Sequence, residues 1–313
     1  MNANKTGRIA DRGGAPAILR RAETFLWTSG RVLEQRRFEV LFGRVADGSG
    51  LAAALAAYEA GPGAYAYGLE PDIRGPEPQP LAAATALMIL EDAGRLDADA
   101  VVPILDWLST VTTAEGGVPA VLPTLGAYPR PPWLPVSGEP VADLLSTGQI
   151  LGPVLRSGVT HPWIPGAVEF ARQGVEAMEH THPYGVESAL MFLEAAPDRD
   201  WAREQADRLG KLLREQRMVL LDPARPEDTP VAPGYAPGEY HLAYDYAPSP
   251  DSLARAWFSD EEMRRSLDHL AASQDSDGAW PITWAKWSAT TEVEARPGAT
   301  VKALRVLRGF GRL

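Results

Sequence analysis

The chain has 313 residues, 45% of them apolar and 23% charged, which is ordinary globular composition for one or two domains. Acidic residues outnumber basic ones to a net charge of −11, which repels a phosphate backbone. The basic stretches at 31–37 and 296–308 are broken by apolar residues at helical spacing, so nucleic acid is not expected as a partner. Cysteine is absent, which excludes disulfides, iron–sulfur clusters, thiolate zinc sites and a cysteine nucleophile.

Residues 1–14 read as a disordered leader, polar and without the apolar stretch of a secretory signal. One domain is expected over 15–313. Helical spacing begins at Ala17, Ile18, Ala22, Phe25 and Leu26, and a second helix follows over 31–42. Further helices are predicted over 51–59, 81–93, 99–110, 140–155, 164–179, 185–194, 200–220, 252–258, 260–274 and 300–309. Asp99 and Asp260 place acids in first turns, where the helix dipole favours them. Alternation is weak and confined to 65–69 and 118–122, so the expected class is all-α. The apolar run at 81–90 is too short to span a bilayer, and no integral membrane segment is expected. A cytoplasmic protein is the expectation. Between the helices lie long, proline-rich loops at 71–80, 123–140, 222–237 and 247–250, of the kind that form lids or binding segments.

A repeat runs through this pattern. Leu270, Gln274, Gly278 and Trp280 define the spacing L-xxx-Q-xxx-G-x-W. It recurs as Leu55, Glu59, Gly63, Tyr65 and as Leu108, Thr112, Gly116, Val118; a worn copy, Leu212, Gln216, Leu220, lacks the glycine. Gly63 and Gly116 stand 53 residues apart and Gly116 and Gly278 stand 162 apart, three steps of 54. In each unit an amphipathic helix ends near the Gln position, glycine permits the turn, and the polar side chain can satisfy a helix end. A helical hairpin of this kind cannot bury its own apolar face and must stack on neighbours. About six hairpins, twelve helices, fit the length, and six can close into a ring with inner helices around a cavity.

Residues 270–280 resemble the QW repeat of squalene and oxidosqualene cyclases and of related α/α-toroid proteins, which include the protein prenyltransferase β-subunits. The stretches 25–42, 69–80 and 244–252 are similar to small actinobacterial prenyltransferase-like proteins. The resemblance implies an all-α, α/α-toroid (α6/α6-type) barrel and an apolar central pocket. The prenyltransferase zinc site needs a cysteine that this chain lacks. Asp-x-Asp occurs at Asp97–Asp99, Asp198–Asp200 and Asp275–Asp277 without the further Asp of the cyclase acid motif, and no Asp-Asp-xx-Asp motif is present.

Candidate chemistry concentrates in two loops. Asp245 is flanked by Tyr244 and Tyr246, with His241 four residues upstream and prolines at 248 and 250 to stiffen the segment. In an apolar pocket its carboxyl would stay protonated, as an alkene-protonating acid requires. Glu70 and Asp72 are the reserve acids, with Arg74 expected to keep them ionised as a base or an anion-positioning group. Tyr184, Tyr244, Tyr246, Trp163, Trp280 and Arg74 are the expected substrate-binding residues, the aromatic faces suiting a cation. His180 and His182, with His161 upstream, are too few to imply a metal, and no cofactor is expected. The leading expectation is acid-initiated cyclisation or isomerisation of an isoprenoid or other hydrophobic polyene. The alternatives are a carbohydrate-active α/α barrel using a carboxylate pair, and a non-catalytic toroid that binds a hydrophobic ligand or partner.

Overall fold

The computed structural model describes residues 16–313. The expected leader lies outside them. The described chain is all-α apart from one short hairpin, and its helices are α1 (Ala17–Ser29), α2 (Val32–Leu41), α3 (Ser49–Ala56), α4 (Pro80–Asp92), α5 (Ala98–Thr110), α6 (Leu144–Ser157), α7 (Trp163–Glu176), α8 (Pro183–Ala195), α9 (Arg199–Glu215), α10 (Ala243–Tyr246), α11 (Asp260–Ala272) and α12 (Thr291–Gly309). The hairpin pairs β1 (Glu59–Gly61) with β2 (Ala64–Tyr65) in the turn between α3 and α4.

Helices α9 and α11 differ in sequence character from α4, α6 and α8. α9 and α11 carry an apolar stripe and a charged face, and α11 opens with a capping box in which Glu262 N donates to Ser259 Oγ and Ser259 N to Glu262 Oε2. α4 reads PLAAATALMILED, is apolar nearly all round, and buries eight of its residues. α6 and α8 are buried to a similar degree. A helix apolar on all sides belongs in the interior. Contacts follow that division: α2 packs on α4, α4 on α6, α6 on α8, α8 on α10, and α12 returns to α2. The odd-numbered helices pack on their even-numbered neighbours, α1 touching both α2 and α12.

Several helix boundaries differ from the sequence expectation. α12 begins at Thr291, through Pro297 and Gly298, where a start near 300 was expected. Pro297 removes the bond to the Val293 carbonyl, and Val293 is 67% exposed, so water can take that carbonyl instead. α9 stops at Glu215 because Arg217 turns left-handed (φ 57°). The helix expected at 252–258 is a 3-10 turn, Leu253–Trp257, while the stretch expected as loop before it holds α10.

The repeat glycines share one geometry. Gly63, Gly116 and Gly278 have φ of 67°, 94° and 95°, and each lies against the backbone of an odd-numbered helix. A Cβ on them would sit 2.1 Å from the Pro103 carbonyl oxygen of α5, 2.7 Å from that of Gly166 in α7, and 2.3 Å from that of Arg21 in α1. Gln274 reinforces the last contact, its Nε2 donating to the Ile18 and Gly278 carbonyls at 2.9 Å each. Gly116 and Gly278 are followed two residues later by a backbone N–H that donates to a threonine of the next even-numbered helix: Val118 to Thr147 at 3.0 Å, Trp280 to Thr300 at 3.1 Å.

Gly278→Ala therefore combines a left-handed φ with a backbone collision, and is expected to lower the free energy of unfolding by about 1 kcal/mol or more. Gly298→Ala is the control, since a Cβ there meets nothing within 4 Å and the residue is helical. It is expected to be neutral or to stabilise by about 0.5–1 kcal/mol. Urea titrations of the two variants check the pair.

Candidate active site

The long loops run 57–79, 111–143, 216–242 and 273–290, and they lead into α4, α6, α10 and α12 respectively. They bring ionisable and aromatic side chains to the N-terminal turns of the even-numbered helices. Two clusters result, joined by α12.

The first is built on the loop before α4. Glu70 Oε2 accepts from the Thr85 hydroxyl of α4 at 3.2 Å. Burial, with the neighbouring Asp72 charge, pushes the Glu70 carboxyl up to about 7 against the pull of Thr85. Burial also raises the Asp72 carboxyl, opposed by the indoles of Trp287, whose Nε1 donates to Oδ1 at 2.7 Å, and Trp133. Arg74 bonds neither acid, although its charge still lowers the Asp72 carboxyl. It pairs with Glu294 of α12 at 2.6 Å, donates to Thr290 Oγ1 at 3.0 Å, and lies 5.3 Å over the Trp287 ring. The expectation that Arg74 keeps Glu70 ionised is thus corrected: its guanidinium is engaged elsewhere, and Glu70 is left a half-buried carboxyl poised to be neutral.

The second cluster joins α8, α10 and α12. Lys302 of α12 meets Asp245 Oδ1 at 3.0 Å and Glu187 Oε1 of α8 at 3.5 Å. Glu187 Oε2 lies 3.3 Å from His241 Nε2, and His241 Nδ1 lies 2.9 Å from the Tyr235 hydroxyl. Tyr184 packs edge-on against His241, centroids 4.8 Å apart, with its hydroxyl 3.5 Å from Glu239. Burial opposes the Glu187 charge, but Lys302 and His241 outweigh it and hold that carboxyl at about 2. Burial likewise opposes the charges on Lys302 and His241, and the Glu187 carboxylate overrides it and raises both. Lys302 keeps 55% of its side-chain surface accessible. At 1.5 Å per residue, Lys302 stands about 12 Å along α12 from Glu294.

These placements revise the sequence reading. Asp245 accepts from Lys302 on one oxygen and, at 3.0 Å, from Leu242 N on the other, capping its own helix. With both oxygens occupied by donors it is not placed to protonate a substrate. Trp163 sits at the start of α7, where its Nε1 donates to Thr112 at 2.7 Å, and Trp280 is 3% exposed with its Nε1 on the Leu270 carbonyl. Both are packing residues outside the two clusters. Tyr246 is 1% exposed and donates to the Met218 carbonyl, so it backs the second cluster without facing it. Tyr184 and Tyr244 remain beside it, Tyr244 through the charges of Asp245 and Lys302. Glu187, Lys302 and Tyr235 were missed. Glu187 follows Tyr184 by three positions and so shares its face of α8, a signal available before the fold was known.

The even-numbered helices carry charge where an apolar interior was expected. Ion pairs join all the even-numbered helices: Arg37–Asp92–Arg305 across α2, α4 and α12, Glu91–Arg156 between α4 and α6, and Glu187–Lys302–Asp245 across α8, α12 and α10. His161 pairs with Asp106 and His182 with the Pro233 carbonyl, and among the described residues no group of three or more metal-ligating side chains is assembled. No helix of the described chain is long and apolar enough to cross a membrane. The chain matches no protein-family model, and no curated protein is similar to it in sequence.

The raised Glu70 carboxyl sets a pH dependence. The folded state holds its proton up to about pH 7 whereas a free glutamate loses it near 4.5, so the stability it confers is full below 4.5 and is lost as pH rises through 7. Glu70→Gln removes that loss. The variant is expected to match the native chain at pH 4 and to exceed it at pH 8 by about 3 kcal/mol, read by denaturant melts at both pH values.

Proposed function

We propose that the twelve helices form an α/α toroid of six hairpins, even-numbered helices inside, and that the chain is a general acid–base enzyme acting on a polar, hydroxylated substrate of the carbohydrate class. The shared geometry of Gly63, Gly116 and Gly278, the α12–α2 contact and the packing of the Gly278 turn on α1 support the ring and the QW-type repeat. Glu70 is the acid. The observation that carries the reading is its carboxyl, half-buried, held by Thr85 and raised to about 7 within reach of the Asp72 charge. A general acid works best when its pKa lies near the operating pH, and a glycosidic leaving oxygen needs such a proton. Trp287 and Trp133, hydrogen-bonded to Asp72, offer indole faces beside the acid, and sugar rings stack on such faces.

Between this and an isoprenoid substrate, the ion pairs joining the even-numbered helices favour the polar one. A polyene lying against Glu187, Lys302 and Asp245 would strip them of water with nothing in return.

The test uses leaving groups of different quality. Unactivated oligosaccharides need the acid, whereas nitrophenyl glycosides do not. The native chain is expected to hydrolyse a member of each class, with kcat/KM for the oligosaccharide falling above pH 7. Glu70→Gln is expected to lose about 10²–10⁴-fold on the oligosaccharide and far less on the nitrophenyl glycoside. Turnover of a polyene or isoprenoid diphosphate, with none of any glycoside, overturns the reading.

A further inference from the structure

The second cluster contains an arrangement that the Glu70 reading does not use. A carboxylate, an imidazole and a phenol stand in line: Glu187 Oε2 to His241 Nε2 at 3.3 Å, His241 Nδ1 to the Tyr235 oxygen at 2.9 Å. Two parts of the chain supply them: α8 gives Glu187, and the 216–242 loop gives both Tyr235 and His241. Each is fixed independently. Glu187 is held from its other oxygen by Lys302, itself anchored on Asp245. His241 is 7% exposed, and its carbonyl accepts from Leu220 N at 2.8 Å. Tyr235 lies against the Tyr184 and His182 rings, centroids 5.6 and 5.3 Å away, and its loop is pinned where His182 Nε2 meets the Pro233 carbonyl at 3.1 Å. His241 is enclosed by the Tyr246 ring on the α10 side at 5.5 Å and the Tyr184 ring on the α8 side, with Glu239 nearby in the loop. Tyr235 and Glu187 both keep part of their surface toward solvent; the Tyr235 hydroxyl bonds only His241, and burial with the neighbouring Tyr184, Tyr246, Glu187 and Glu239 groups pushes the phenol well above its usual value.

We infer that Glu187, His241 and Tyr235 form a proton relay in which the Tyr235 phenol is the reacting end, a second centre distinct from Glu70 that takes a phosphorus- or sulfur-centred electrophile or protonates an oxyanion. With His241 protonated, Nδ1–H donates to the phenol oxygen and the phenol O–H points outward. The phenol passes its proton to a substrate oxygen, Nδ1 replaces it, and a neutral imidazole remains with Nε2–H on Glu187. With His241 neutral the relay runs in reverse: the phenol oxygen attacks, its proton goes to Nδ1, and Glu187 stabilises the imidazolium that forms. Glu187 and His241 are positioning residues in this scheme. The relay is independent of the carbohydrate reading and survives its failure.

Methanesulfonyl fluoride tests it on the full chain. The phenol oxygen forms the S–O bond, fluoride leaves, and the proton passes to His241. Tyr67, 53% exposed and remote from any histidine contact, is the reference within the same molecule. Peptide mass mapping is expected to show Tyr235 labelled at least ten times faster than Tyr67 at pH 8, with a rate that rises through the His241 titration rather than with ordinary phenol ionisation near 10. Glu187→Gln and His241→Asn are each expected to cut Tyr235 labelling at least tenfold and leave Tyr67 unchanged. Where His241→Asn fails to fold, the Glu187→Gln comparison and the pH profile of the native chain decide. Labelling of Tyr235 no faster than Tyr67, or unaffected by both variants, overturns the relay and leaves the Tyr235–His241 bond as a tie that only holds the loop.

Discussion

The contact between a turn glycine and the backbone of the neighbouring odd-numbered helix sets the spacing of the whole molecule. At Gly63, Gly116 and Gly278 a carbonyl oxygen occupies the volume a Cβ would need. That approach fixes how far one hairpin stands from the next, and no side-chain contact could fix it as tightly, because side chains can repack and backbones cannot. The threonine bonds that follow, Val118 to Thr147 and Trp280 to Thr300, then set the even-numbered helix relative to the same turn. Spacing and orientation are therefore decided within a few residues of each glycine.

One outcome is that the long loops all enter the even-numbered helices at the same end of their hairpins. Loops tolerate ionisable groups that a helix core does not, and here they deliver Glu70, Asp72, Arg74, Tyr235 and His241 onto rigid helical partners, Thr85, Glu187, Glu294 and Lys302. Glu70, Arg74 and His241 each meet a helix side chain whose rotamer is set by packing. Chemistry placed in this way is more precise than the loops alone would allow.

The glycines and the all-α class were legible in the sequence because they depend on local spacing and on conformational permission that only glycine gives. The roles of the acids were not. Asp245 looked like an isolated acid among tyrosines, since the residue that engages it, Lys302, lies 57 positions away. Arg74 looked like a partner for Glu70 and Asp72 by proximity along the chain, yet Glu294, 220 positions on, takes it. Trp163 and Trp280 looked like cavity aromatics, but each has its indole N–H on a partner at a helix end, Thr112 and the Leu270 carbonyl, which pattern alone does not reveal. In each case a long-range pairing overrides the neighbourhood that the sequence displays.

The tie between Gln274 and Ile18 spans 256 positions. Contacts of that separation are the slowest a chain can make, because a loop of that length must close before they return any stability. During synthesis α1 emerges with its partner surface still unmade, and the apolar side of Phe25 and Leu26 stays open until the Gly278 turn exists to cover the other end. Hairpins in between can settle on their neighbours as they appear, so the seam between α1 and the α11–α12 unit is the last to form. It is the same seam at which a strained or shortened chain would first come apart, and where two copies could exchange an α1 helix with one another before either had sealed its own.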